Sequence, residues 1–191
     1  VPTAIRVANE IAPFKPMFLE EPVPPDNLEA LKAVRDKSPV PIAAGERLYG
    51  RCGYREMFAL RAADYIQPDV SHAGGIMETK KIAAIAESMQ IPFAPHNPSG
   101  PVANAATLQL AACCPNFCML EIMYSDVDYR SDITDEALEC IDGRIKIGNK
   151  PGLGIELNEK ECLKHPFVRH ELRHYTGALT DIRPANKKFY F

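Results

Sequence analysis

The chain of 191 residues has no apolar run approaching the roughly 20 residues that a membrane span needs. Its first residues, Val1-Pro2-Thr3-Ala4-Ile5-Arg6, show neither the basic start nor the apolar block of a signal peptide. With no other address visible, the cytoplasm is the expected compartment. There is no surplus of positive charge: the net charge is −3, so neither nucleic acid nor an anionic membrane is expected as a partner. No Cys-x-x-Cys occurs among Cys52, Cys113, Cys114, Cys118, Cys140 and Cys162. Reduced thiols fit a large, unsignalled chain better than a disulfide framework, and Cys114 and Cys118 read as small buried apolar residues. A glycine-rich phosphate loop is also lacking, because Gly74-Gly75 stands without the rest of such a pattern.

What the chain does have is a repeat of apolar segments that end in chemistry. Phe18-Leu19-Glu20-Glu21-Pro22 runs two apolar residues into two acids and a proline, which cannot continue a central strand. Ala43-Ala44-Gly45-Glu46, Ile66-Gln67-Pro68-Asp69, Phe93-Ala94-Pro95-His96 and Met119-Leu120-Glu121 end in the same way. From Glu20 to Glu46, Asp69, His96 and Glu121 the steps are 26, 23, 27 and 25 residues.

Helical patterns fill the intervals. Helices are expected over 3–13, after an Asp26 N-cap with Glu29 in a capping box, over 53–63, over 76–89 and over 101–113. In the fourth, Ile82, Ile85, Ala86 and Met89 form the apolar face. Strands are expected at 17–20, 42–45, 65–67, 92–94 and 117–120. Alternating strands and helices mean βαβ units and a parallel sheet. Polar residues at five successive tips favour a closed barrel, since only a ring points all of them at one centre. A TIM-type barrel needs eight strands in about 250 residues, so five strands predict the C-terminal part of a larger TIM-type barrel. The expected organisation is a partial barrel over 1–123 and a C-terminal extension over 124–191. In the extension, Arg144–Ile147 reads as a strand, Pro151–Gly154 as a turn and Asn158 as the cap of a short helix; residues 165–191 read as a surface arm.

Glu20 and Glu46, on neighbouring tips, offer hard oxygen donors suited to Mg²⁺. The competing reading is an ion pair with Arg47 or Arg51. Asp69 beside His96 is the arrangement of an oriented general base; alone, His96 would read as a structural histidine near a turn. Glu121 could hydrogen-bond a substrate oxygen or form a rim ion pair. A cation holding a substrate carboxylate beside a histidine base describes abstraction of the proton α to that carboxylate. With a β-hydroxyl to expel the outcome is dehydration; otherwise it is racemisation or epimerisation.

Glu20-Glu21-Pro22, Gly45-Glu46-Arg47, Gln67-Pro68-Asp69 with Ser71-His72-Ala73-Gly74-Gly75, and Ala94-Pro95-His96 together resemble the enolase superfamily. They are similar to its mandelate racemase/muconate lactonizing enzyme group, most closely the galactonate dehydratase-like sugar-acid dehydratases. Pro151-Gly152-Leu153-Gly154-Ile155-Glu156 resembles a tail motif of those dehydratases. The resemblance implies a Mg²⁺-dependent lyase that dehydrates an aldonate to a 2-keto-3-deoxy acid. It implies a (β/α)7β barrel with Glu20 and Glu46 as metal ligands, Asp69 and His96 as the catalytic dyad, and Glu121 as a further catalytic group that hydrogen-bonds the substrate carboxylate. His96 would then be both catalytic and substrate-binding, while strand alternation turns Glu21 away from the ion. A third ligand on strand three, a second acid/base two positions later and an N-terminal capping domain are expected outside this chain. The partners implied are a small sugar acid or carboxylate, that missing N-terminal part, and further copies in a homo-oligomer. A racemase is the alternative activity, and an inactive remnant is the alternative from another class.

Overall fold

A computed structural model describes residues 1–123, 127–135 and 140–168. Within it the chain divides into two compact units, Val1–Asn158 and Glu159–Phe191.

In the first unit, helix α1 (Pro2–Ile11) passes through a 3₁₀ turn containing Pro13 and leads to strand β1 (Leu19–Glu20). Helix α2 (Leu28–Arg35), β2 (Ile42–Ala44), α3 (Gly50–Leu60), β3 (Tyr65–Ile66), α4 (Ile76–Ser88) and α5 (Pro101–Cys113) follow. β1 pairs with β2 and β2 with β3, all parallel, in the register Leu19↔Ile42 and Ala44↔Ile66. Parallel bridges Ile66↔Phe93 and Phe93↔Phe117 carry the ladder through two more segments. The five segments therefore neighbour one another in chain order, and consecutive helices touch along the same side. That is the singly wound order of a (β/α) barrel, not the reversing order of a doubly wound sheet.

The core explains the pattern. Ile42, Ala43 and Ala44 are all buried, as a parallel strand covered on both faces must be. Val34 of α2, Met57 of α3, Ile82 and Ala86 of α4 and Leu110 of α5 pack in the same core as Ile66 and Phe93. Among the described residues no helix is long and apolar enough to cross a membrane.

Several expectations are corrected. The fourth and fifth strands are single bridging residues, not 92–94 and 117–120. Pro92 and Pro95 flank Phe93 and have no N–H to extend the ladder. The α2 cap is Asn27, whose Oδ1 accepts from Ala30 N at 2.8 Å, so Asp26 is outside the helix and no capping box closes. Helix α3 starts at Gly50, before the expected 53, and ends at Leu60, before the expected 63, because Arg61 adopts the left-handed conformation (φ 50°) usually left to glycine and closes it. On α4 the buried face is Thr79, Ile82, Ala83 and Ala86, with Ile85 38% exposed. All six cysteines are free; Cys114 is buried, and burial together with Cys113 pushes its thiol up to about 11, but Cys118 is exposed.

After the barrel segment, β4 (Cys140–Ile141) and β5 (Arg144–Ile145) form an antiparallel hairpin. Its turn residues, Asp142 and Gly143, both have positive φ, as a two-residue primed turn requires. Residues 133–135 pair with 156–158 through the Thr134↔Leu157 bridge. In the second unit, α6 (Glu159–Cys162) is followed by His165, whose Nε2 lies 3.2 Å from Glu161 Oε1. His170, His174 and most of the expected arm fall outside the described residues.

Replacing the α2 cap gives a first test. Asn27→Ala should cost about 1 kcal/mol, lowering the melting temperature by roughly 2–4 °C. An unchanged melting curve would show that the Asn27–Ala30 bond does not hold the helix end.

Candidate active site

The five expected residues converge where the strands end. Glu20 closes β1, and the main chain then turns left-handed at Glu21 (φ 41°). This turn, not strand alternation alone, sends Glu21 elsewhere. Its Oε1 accepts from Gly45 N at 3.0 Å and its Oε2 from Arg47 Nη2 at 2.6 Å. Arg51 pairs with Glu78 at 2.7 Å. The arginines therefore serve other acids first; Arg47 Nε comes only within 3.7 Å of Glu46 Oε1.

Asp69 is 2% exposed. Its Oδ1 accepts from Ser71 N at 2.7 Å and His72 N at 3.3 Å, and its Oδ2 lies 2.9 Å from His96 Nδ1. Burial would raise the Asp69 carboxyl, but the bonds from His96 and Ser71 outweigh it and hold the group below its usual range. A carboxylate can only accept, so His96 Nδ1 carries a proton toward Asp69, and by the same rule Nε2 carries one toward Glu46 in this structure and must yield it before the ring acts as a base. Nε2 faces Glu46 Oε2 at 3.0 Å and Glu121 Oε2 at 3.9 Å. Burial would lower the imidazole's pKa, yet the Asp69 bond and the charges of Glu46 and Glu121 raise it overall.

Glu20 belongs to the same cluster. Its carboxyl is pushed up, first by burial and then by the charges of Glu121 and Glu46, with His96 and a hydrogen bond from Gln67 acting the other way. Three carboxylates thus crowd one half-open centre with one imidazole to offset them. That is a donor set suited to a hard divalent cation. Among the described residues no group of three or more His, Cys, Asp or Glu is arranged to hold a metal. Glu20 and Glu46, on adjacent strand ends, could supply two of the oxygens such an ion needs.

Four supporting residues escaped the sequence reading. Tyr54, fully buried on α3, donates its hydroxyl to Gly45 O at 2.7 Å. Burial, then the charges of Glu21, Asp69 and Glu46, hold its phenol well above the usual value, so it stays a donor. His72 Nδ1 is 2.8 Å from Glu46 O, and its ring lies between those of Tyr49 and His96 at 6.1 and 6.3 Å. Gln67 is 4% exposed, and its Oε1 has no hydrogen-bond partner among the described residues. Asn97 binds Glu121 from the neighbouring tip. His72 and Gln67 lie inside motifs quoted above, but nothing in their spacing assigns them a partner. Asn97 had only its place after His96 to mark it.

The family model described as "Enolase C-terminal domain-like" matches residues 1–161. D-galactonate dehydratase of Xanthomonas campestris pv. campestris is 40% identical over 194 residues, covering 94% of this chain and 50% of that protein. D-xylonate dehydratase of Haloferax volcanii is 38% identical over 156 residues, covering 82% of this chain and 38% of that protein. Among solved structures, a mandelate racemase/muconate lactonizing enzyme-like protein from Rubrobacter xylanophilus superimposes with TM-score 0.81 at 43% identity, over 89% of this chain and 43% of that one. The corresponding protein from Sulfitobacter sp. gives TM-score 0.83 at 38% identity, over 88% and 42%. The chain spans about half the length, or less, of the curated relatives it matches.

Proposed function

The chain belongs to the enolase C-terminal domain-like family, and from that premise we propose that its strand ends remove the proton α to a carboxylate and drive dehydration of a sugar acid to its 2-keto-3-deoxy product. The observation that carries the reading is the fixed dyad, with Asp69 Oδ2 2.9 Å from His96 Nδ1 and Nε2 turned into the carboxylate cluster. The relatives named for D-galactonate and D-xylonate support an aldonate as the substrate class.

In this reading Glu20 and Glu46 would hold Mg²⁺ through their carboxylate oxygens. The bound ion would stabilise the negative charge that develops on the substrate carboxylate as the α-proton leaves. Asp69 keeps the Nδ1 proton in place, so that Nε2 of His96 is directed at the substrate. His96 takes the α-proton, or returns one to the enol. Glu121 binds a carboxylate oxygen of the substrate. The β-carbon to oxygen bond breaks, the leaving hydroxyl takes up the proton that His96 removed from the α-carbon and departs as water, and the enol left behind tautomerises to the 2-keto acid. We place this chemistry in a cytoplasmic homo-oligomer.

The test is turnover of a panel of aldonates by the full-length protein with Mg²⁺ and after chelation. A keto acid should form from at least one aldonate, only with the metal, and Glu46→Gln should weaken Mg²⁺ binding at least tenfold. Exchange of the α-hydrogen with solvent but no keto acid would replace dehydration by racemisation. Turnover indifferent to chelation would sink the metal-assisted reading.

A further inference from the structure

Asn97 follows the base candidate in the chain and meets the same Glu121 oxygen through its main-chain N–H. Its side chain is 1% exposed and is committed to two other elements. Nδ2 donates one hydrogen to Asn104 Oδ1 of α5 at 2.8 Å and the other to Glu121 O at 3.1 Å. Its main-chain N–H donates to Glu121 Oε2 at 3.1 Å. Oδ1 lies 3.5 Å from Thr107 Oγ1, whose own hydrogen goes to Ala103 O at 2.8 Å. Asn104 and Thr107 are 3% and 0% exposed.

Buried amides are costly unless their polar atoms are paired, so a satisfied polar group under a strand tip is a specific connection. The Glu121 side chain is 45% exposed, and the Phe117 segment leading to it has a strand neighbour on one side only among the described residues. Asn97 is thus the fastener of Glu121: its side chain grips the Glu121 backbone carbonyl and so sets where the carboxylate stands, while its main-chain N–H, present with any residue but proline here, meets the carboxylate itself. By its peptide bond to His96 it ties the same frame to the dyad. α5 anchors that frame through Asn104.

We propose that Asn97 is the positioning residue that holds His96 and Glu121 as one unit, acting through both and touching no substrate. Its role in turnover rests on the acid–base reading above; the physical tie between the tips does not.

The experiment separates the two. In the full-length protein Asn97→Ala should lower kcat about thirtyfold while KM moves less than threefold. In a Glu121→Gln background the same substitution should cost less than fivefold, because the backbone that the Asn97 side chain anchors no longer carries a carboxylate. Equal losses in both backgrounds, or no loss in the first, would overturn the role. Amide hydrogen exchange gives an answer without turnover. Asn97→Ala should speed exchange of 93–97 and 117–121 together at least tenfold, leaving β2 unchanged. Exchange rates that do not move, or that rise throughout the barrel segment, would refute the tie. If Asn97→Ala fails to fold, Asn104→Ala removes the anchor from the α5 side, and the same exchange criteria apply. Should His96→Asn leave turnover intact, the acid–base reading falls while the exchange result still decides the tie.

Discussion

His96→Asn should lower kcat about a thousandfold in the full-length protein, the usual worth of a positioned general base being roughly 10² to 10⁴. Asparagine keeps much of the ring's polar volume but offers no titratable nitrogen at the Nε2 position. Asp69→Asn should lose activity on a similar scale for a different reason. The Asp69 oxygen 2.9 Å from Nδ1 would become ambiguous between donor and acceptor, and the ring's orientation and tautomer would no longer be fixed. Mg²⁺ binding, read by calorimetry, should survive Asp69→Asn because its neighbours are His96, Ser71 and His72. Steady-state turnover on the accepted aldonate decides. A His96→Asn enzyme within tenfold of the parent would remove His96 from the chemistry.

The second large effect is on stability, and it sits beside a proposed ligand. Gly45→Ala places a Cβ 2.5 Å from Tyr54 Oη and 3.1 Å from two atoms of its ring. Tyr54 is fully buried and cannot swing aside without disturbing Phe58 and Met57 on α3. The backbone at Gly45 also has φ 134°, which an L side chain rarely adopts. Overpacking and backbone strain together should cost about 3 kcal/mol, or roughly 6–12 °C in melting temperature. Removing the phenol with Tyr54→Phe should recover only part of this, because the φ strain remains. A melting temperature within 2 °C of the parent would mean that β2 and α3 can part easily, which the packing described above denies.

The barrel segment was legible because parallel strands buried on both faces leave continuous apolar runs, and because prolines and acids mark their ends. Ile42–Ala44 needed no more than that. Boundaries were less legible where one residue overrode a local preference. Arg61 in a glycine-like conformation closed α3 early, and Asn27 took the cap that Asp26 seemed to offer. The Asp142-Gly143 hairpin was written plainly in turn chemistry but was masked by the acidity of its surroundings. Cys118 was assigned to the interior by its residue type, whereas exposure depends on whether a neighbouring strand covers it.

By itself, the sequence determined which residues stand at the strand ends, since a regular spacing of apolar segments fixes where each tip falls. It also determined the chemistry on offer there: paired carboxylates, a carboxylate beside an imidazole, and a further acid. Strand alternation already pointed to Glu20 over Glu21, and the tertiary structure alone decided what Glu21 does instead. Glu20 stays with the cluster, while a left-handed turn commits Glu21 to Gly45 and Arg47. It alone joined Tyr54 to Gly45, His72 to the Glu46 carbonyl, and Asn97 to Glu121. The physical reason is that these bonds link side chains to main-chain groups of other elements. Their geometry depends on backbone dihedrals and on how neighbouring elements pack, and neither leaves a periodic trace along the chain.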